Sequence, residues 1–332
     1  MKTSTTTLML ALCLSTLSTA TMADEVGSVT SPDGQNTLAI DRSDSGQLTY
    51  TVTRGTHTLV AASPLGLVAR EADLSAGLAL SAHSTRPINE QYALPTGKCA
   101  VYHNTCNELT LIFTKGSHTL ALQCRAYDDG VAFRYVVNGD EPLTVTADKA
   151  EVSLPSFERC WAQRYVSDYS QPYPARSWSD LQGVSDNTRK LCVPALVKST
   201  EGDDCWVLLT ESQGDAQFCA SALVAGDTTH PGCFSFALQD TPTVGPAFTT
   251  PWRTLYMGTL ATIVESNLND DLNPATSLTD TSWIQAGLSS WDWGGEEGQE
   301  RHDLNIVKDY IDMAHNMHWP YYTLDAGWDG AP

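Results

Sequence analysis

The sequence predicts a mainly β protein, a large antiparallel β-sandwich followed by one β-α-β unit that starts a parallel sheet. Three observations carry that prediction. Short runs of alternating apolar and polar residues, separated by turn residues, fill residues 24–270. An Asp-Gly step joins two β-rich runs near residue 130, and a single helical stripe flanked by strand-like runs follows residue 280. Many short strands with regular turns are the signature of a sandwich, whereas strand, helix, strand is the signature of parallel pairing.

The chain of 332 residues is 42% hydrophobic and carries 19 basic against 39 acidic side chains, a formal charge of −20. Such a composition supports a folded core. The charge argues against a nucleic-acid partner, which would need a basic footprint, and against docking to an anionic membrane.

Residues 1–23 have the pattern of a secretion signal. Lys2 supplies the positive start, residues 8–17 (LMLALCLSTL) a short apolar run, and residues 21–23 a small-residue cleavage site. The run is too short to span a bilayer, so no membrane insertion is expected, and the chain is expected to cross the inner membrane into the periplasm. Eight cysteines would remain after cleavage: Cys99, Cys106, Cys124, Cys160, Cys192, Cys205, Cys219 and Cys233. An oxidising compartment permits disulfides among them, although several would serve equally well as buried small hydrophobes. None is spaced as Cys-x-x-Cys, which argues against structural zinc.

Residues 47–53 (QLTYTVT) alternate Leu48, Tyr50 and Val52, as a strand with one buried face requires. Residues 109–113 (LTLIF), followed by Lys115-Gly116, repeat that pattern. Residues 119–137 read as a hairpin turning at Asp128-Asp129-Gly130, with the glycine expected to supply a positive φ. Residues 205–210 (CWVLLT) and 254–258 (TLYMG) add strands. Beyond 280, residues 286–293 (AGLSSWDW) predict a strand, and residues 294–300 a glycine- and glutamate-rich loop. A helix follows, with Leu304, Val307, Ile311, Ala314 and Met317 or His318 at three-and-four spacing, Asp303 as N-cap and Pro320 as terminator. Residues 321–324 (YYTL) form the second strand. Residues 281–332 number only 52, whereas a complete (β/α)8 barrel takes about 250. The sequence therefore predicts a second domain cut short.

Three stretches in order carry a family resemblance: residues 125–135 (RAYDDGVAFRY), 280–287 (DTSWIQAG) and 310–329 (YIDMAHNMHWPYYTLDAGWD). Together they resemble glycoside hydrolase family 97, the bacterial α-glucosidases and α-galactosidases. The resemblance implies a β-sandwich domain over residues 24–280 and the start of a (β/α)8 catalytic barrel over 281–332, with calcium at the active site. It places the catalytic carboxylates on later barrel strands, so no catalytic residue is named in this chain. It implies Glu211, at the end of WVLLTE, as a calcium ligand, since Ca²⁺ takes hard oxygen donors. With the partner glutamates in the remaining barrel, calcium affinity of this chain alone should be poor. Asp325, Trp328 and Asp329 fall at the carboxyl end of the second barrel strand, where barrel enzymes bind substrate; residues 325–330 (DAGWDG) would suit a plain turn equally well.

Other candidates have structural readings of their own. Trp291 and Trp293 are expected to bind sugar or plug the core. Glu296, Glu297 and Glu300 read as a solvated loop, and His302, His315 and His318 as surface histidines. Trp161, Tyr165, Tyr169, Tyr173 and Trp178 form an aromatic loop that would either approach sugar or pad the sandwich. The expected function is the N-terminal portion of a calcium-dependent glycoside hydrolase cleaving α-glucosides or α-galactosides, inactive alone. Its expected partners are an oligosaccharide or polysaccharide substrate and the rest of the barrel. The alternatives are a carbohydrate-binding sandwich without hydrolysis, and a truncated product without function.

Overall fold

The computed structural model describes residues 23–166, 171–182, 189–226, 231–291 and 303–324. The expected secretion signal lies outside them.

Alternation builds the first sheet. In strand Leu48–Arg54, Leu48, Tyr50 and Val52 are buried and the threonines between them are partly exposed. Its eight strands run in the order Asp24–Thr30, Asn36–Arg42, Leu48–Arg54, His57–Leu65, Glu151–Ser153, Cys233–Leu238, Ser221–Ala225, Lys190–Leu191. A ten-stranded sheet faces it, in the order Ala175–Arg176, Phe157–Trp161, Ala195–Ser199, Trp206–Ser212, Trp252–Gly258, Gly130–Asn138, His118–Tyr127, Tyr102–Lys115, Ala79–Tyr92; Ala247–Thr249 also pairs with Gly130–Asn138. The two inner faces meet in one core. Leu109, Leu111, Phe113, Leu122, Val131 and Phe133 from the larger sheet join Leu38, Ile40, Leu48 and Tyr50 from the smaller. The rings of Tyr50 and Phe133 lie 4.9 Å apart across the gap. A four-stranded sheet, Thr243–Val244, Leu143–Asp148, Leu67–Ala69 and Asp73–Leu74, adds to the same core. The predicted sandwich is present.

The predicted hairpin is also present, for a different reason than expected. Tyr127 pairs with Gly130, so the loop is Asp128-Asp129. Gly130 is not among the positive-φ residues. A Cβ there would lie 2.4 Å from the Leu255 carbonyl oxygen and 3.0 Å from Tyr256 Cα. Close approach of the neighbouring strand Trp252–Gly258, rather than turn geometry, requires the glycine.

Strand Trp252–Gly258 is buried at every position. Its inner side chains join the main core. Trp252 and Tyr256 point outward into a second cluster with Ile88, Cys106, Tyr127 and Ala132. Ile263 of helix Leu260–Glu265 and Leu268 of helix Leu268–Asp271 cover that cluster. The first helix starts at Thr259, whose hydroxyl accepts the Thr262 N–H at 3.2 Å.

All eight described cysteines are free thiols, and six are buried. Burial pushes Cys106 up to about 11 and Cys160 up to about 12. Both stay protonated, as small hydrophobes do.

Among the described residues, 91–102 and those from 275 onward form a second compact unit, and the others form the first. In the second, strand Ser289–Trp291 pairs in parallel with Tyr321–Thr323, with helix Leu304–Asn316 between them in sequence. This is the predicted β-α-β unit. The Asp303 carboxylate accepts the Asn305 N–H at 2.7 Å, capping the helix as expected. Ala314 is the buried residue of that helix, whereas Leu304, Ile311 and Met313 are exposed.

Candidate functional site

Glu211 closes strand Trp206–Ser212 and stands directly opposite Arg253 of the next strand, the register in which side chains meet across a sheet. Both point between the two large sheets. Arg253 is 1% exposed. Its Nη1 donates to Glu211 Oε2 at 2.5 Å, while Nε and Nη2 donate to Asp148 Oδ2 at 3.0 and 2.8 Å. Its guanidinium also sits 4.6 Å from the Phe236 ring centroid. The carboxylates are held from behind. Glu211 Oε1 accepts the Ser221 N–H at 2.9 Å, and Asp148 Oδ1 accepts the Ala150 N–H at 2.9 Å. Burial alone would pull the Arg253 pKa down. The charges of Asp148 and Glu211 outweigh it and hold the guanidinium above its ordinary value. A buried cation with two hydrogen-bonded carboxylates is the arrangement in which desolvation is offset.

That geometry tests the calcium reading. Glu211 brings one carboxylate, and both of its oxygens are engaged. The cation beside it is Arg253, and among the described residues no group of three or more His, Cys, Asp or Glu is placed to hold a metal ion. A Ca²⁺ ion needs six to eight oxygen ligands, so the described residues do not fit it. Asp148 and Glu211 are likewise no hydrolytic pair. They converge on Arg253 instead of facing a water-filled cleft across a sugar.

The aromatic loop divides. Trp161 and Tyr173 line an apolar cavity of about 420 Å³ with Leu196, Trp206, Leu208 and Leu260. The indoles of Trp161 and Trp206 lie 5.3 Å apart. Lys198 approaches the Trp206 ring at 5.8 Å and pairs with Glu158 at 2.9 Å. Trp178 instead packs edge-on against Phe157 and Phe234, each at 5.8 Å, inside the sandwich. A second cavity, about 470 Å³, is lined by Arg54, His57, Leu59, Glu201, Asp203 and Asp204 among others.

Trp291 is 48% exposed, and His315 and His318 are exposed. Asp325, Trp328 and Asp329 lie outside the described residues, as do Trp293, Glu296, Glu297, Glu300, His302 and Tyr169. Asp148 and Arg253 were not anticipated. Arg253 had a sequence signal, a lone charge inside the apolar run 251–258 (PWRTLYMG). Asp148, 105 residues away from it, had none.

The chain is similar to known proteins over most of its length. A probable retaining alpha-galactosidase of Streptomyces bingchenggensis is 34% identical over 96% of this chain and 49% of its own. The retaining alpha-galactosidase of Bacteroides thetaiotaomicron is 24% identical over 90% of this chain and 49% of its own. The chain thus spans about half the length of the curated relatives it matches. Among solved structures, a glycoside hydrolase family 97 enzyme from Pseudoalteromonas sp. strain K8 in complex with acarbose superposes with a TM-score of 0.77. It shares 22% identity, over 92% of this chain and 48% of the other. A beta-arabinopyranosidase superposes with the same TM-score at 24% identity, over 92% and 51%. Both show the shared fold. The family model for the glycosyl-hydrolase 97 N-terminal domain matches residues 29–274, which cover the described sandwich, and the chain belongs to glycoside hydrolase family 97.

Proposed function

We propose that the chain is the N-terminal part of a glycoside hydrolase that cleaves α-galactosides, with α-glucosides as the second substrate class. The observation that carries this reading is the 34% identity, sustained over 96% of the chain, to a probable retaining alpha-galactosidase. Retaining hydrolysis needs one carboxylic acid to protonate the leaving oxygen and a second carboxylate about 5–5.5 Å away as nucleophile. The reading assigns both to the part of the barrel that would lie beyond residue 332, which leaves the 332-residue chain inactive alone. It assigns substrate contacts to Asp325, Trp328 and Asp329, and a leader to residues 1–23 that directs the protein to the periplasm.

The test is an assay of this chain, and of the product of its gene read past the codon for Pro332, on aryl α-galactoside and aryl α-glucoside. The expected result is turnover of the α-galactoside by the longer product only. Turnover by the 332-residue chain would refute the inactivity, and no turnover by a longer product would sink the hydrolase reading.

Calcium dependence belongs to the proposal through the family resemblance alone, and an added cation at Glu211 would compete with the charge of Arg253. Adding millimolar calcium to this chain is therefore expected to leave its melting temperature unchanged, since stabilisation follows ln(1 + [L]/Kd) and vanishes when Kd greatly exceeds the ligand. A saturable rise in melting temperature would show a calcium site that the Arg253 pairing does not preclude.

A second reading, a carbohydrate-binding module without turnover, draws on the cavity between Trp161 and Trp206, because indole faces stack on pyranose rings. Saturable galactose or maltose binding without hydrolysis, lost in Trp206→Ala, would favour it.

A further inference from the structure

On the outward face of the ten-stranded sheet, neighbouring strands bring together charges that the proposed hydrolysis does not use. Glu108 stands opposite Arg125, and Gln123 opposite Arg134. Glu108 accepts from Arg125 Nε and from Arg86 Nε, each at 2.8 Å. Among the described residues no carboxylate pairs with Arg134. Its Nε donates to Gln123 Oε1 at 2.7 Å and its Nη1 to Gln213 Oε1 at 2.6 Å. That same Gln213 oxygen accepts the Trp252 indole N–H at 3.2 Å. Gln213 adopts a φ of 59°, a left-handed conformation uncommon for a residue with a side chain and concentrated at functional sites. The guanidiniums of Arg125 and Arg134 both stack on Trp252, at 4.9 and 4.3 Å from the ring centroid.

Charge balance makes this cluster unusual. Of three neighbouring guanidiniums, those of Arg86 and Arg125 share the Glu108 carboxylate and that of Arg134 donates to amides instead, in a protein whose formal charge is −20. Burial pulls the Arg134 pKa down to about 10, the nearby Arg125 adds to that, and the charge of Glu108 offsets only part of it. Arg134 is half-buried, with part of its surface open to solvent. Glu108 already shows what satisfies such a group here, since one carboxylate bridges two guanidiniums within hydrogen-bond distance. The N–H groups of a guanidinium lie in one plane, a fork that fits a carboxylate.

We propose that Arg134, stacked on Trp252 beside Arg125 and aligned by Gln123 and Gln213, is a carboxylate-binding site on the outer face of the sandwich. The carboxylate comes from an acidic side chain of a polypeptide segment or from an acidic sugar. The site stands on the geometry of the sheet and does not depend on the hydrolase reading.

The 332-residue chain is titrated with sodium acetate and with sodium glucuronate at constant ionic strength, using chloride and glucose as comparators. The melting temperature and the arginine ¹⁵N–¹H Nε resonances are followed. The expected result is a saturable rise in melting temperature with both carboxylates and with neither comparator, accompanied by movement of the Arg134 Nε resonance. Arg134→Gln is expected to weaken half-saturation about ten-fold or more, the factor that 1.4 kcal/mol sets, while the exposed Arg70→Gln leaves it unchanged. The resonance shift is read on the unmodified chain, so the proposal stays testable if Arg134→Gln folds poorly. Glucuronate at least ten-fold tighter than acetate identifies an acidic sugar; equal, weak binding identifies a side-chain carboxylate. No saturable response to either, or movement of other arginine resonances only, overturns the proposal.

Discussion

Arg253→Met is expected to destabilise the sandwich by about 3–5 kcal/mol, the cost of leaving buried charges without their partner. The side chain of Asp148 is 1% exposed and that of Glu211 11%, so neither carboxylate can recover its lost hydrogen bonds from bulk water. Methionine keeps most of the volume, which confines the loss to the charge. Equilibrium urea unfolding of the native chain and the variant measures it. The companion variant carries Asp148→Asn and Glu211→Gln together with Arg253→Met and removes every charge at once. It is expected to be markedly more stable than Arg253→Met alone, because the uncompensated carboxylates are gone. Equal stability of the two variants would show that volume, not charge, is what Arg253 contributes.

Phe133→Ala should cost about 3–5 kcal/mol, the range for truncating a fully buried aromatic ring. Phe133 is 0% exposed and is the ring through which the ten-stranded sheet reaches Tyr50 of the other sheet, at 4.9 Å, with Tyr135 edge-on at 6.4 Å. Loss of this ring removes contacts from both layers, so the expected signature is a lower denaturation midpoint with an unchanged urea slope. Phe157→Ala removes a partly buried ring near the core boundary and should cost less. The reverse order would place the main inter-sheet contact at the Phe157, Trp178 and Phe234 cluster instead.

The sheets were legible because a period of two survives in the local sequence. Leu48, Tyr50 and Val52 point inward as alternation requires, and Asp303 caps its helix because capping needs only two residues at short range. Long-range packing leaves no such trace. Nothing near Gly130 announces that the Leu255 carbonyl will press on it, and nothing near Trp178 says that its ring turns inward onto Phe234 while Trp161 borders a cavity. The same holds for the candidate site. Glu211 could be singled out only through a family resemblance. Its partner Arg253 was visible as a lone charge in an apolar strand, and its co-partner Asp148 comes from a different sheet altogether.

Strand order and chain order differ in the ten-stranded sheet. Strand Trp252–Gly258 lies between Trp206–Ser212 and Gly130–Asn138, yet it is the last strand of the sheet to be synthesised. Until it emerges, the sheet exists as two separate pieces, each with an open edge of unpaired N–H and C=O groups of the kind that pairs with other chains. Both edges therefore stay open to proteases and mispairing until this one strand docks, and its insertion closes them.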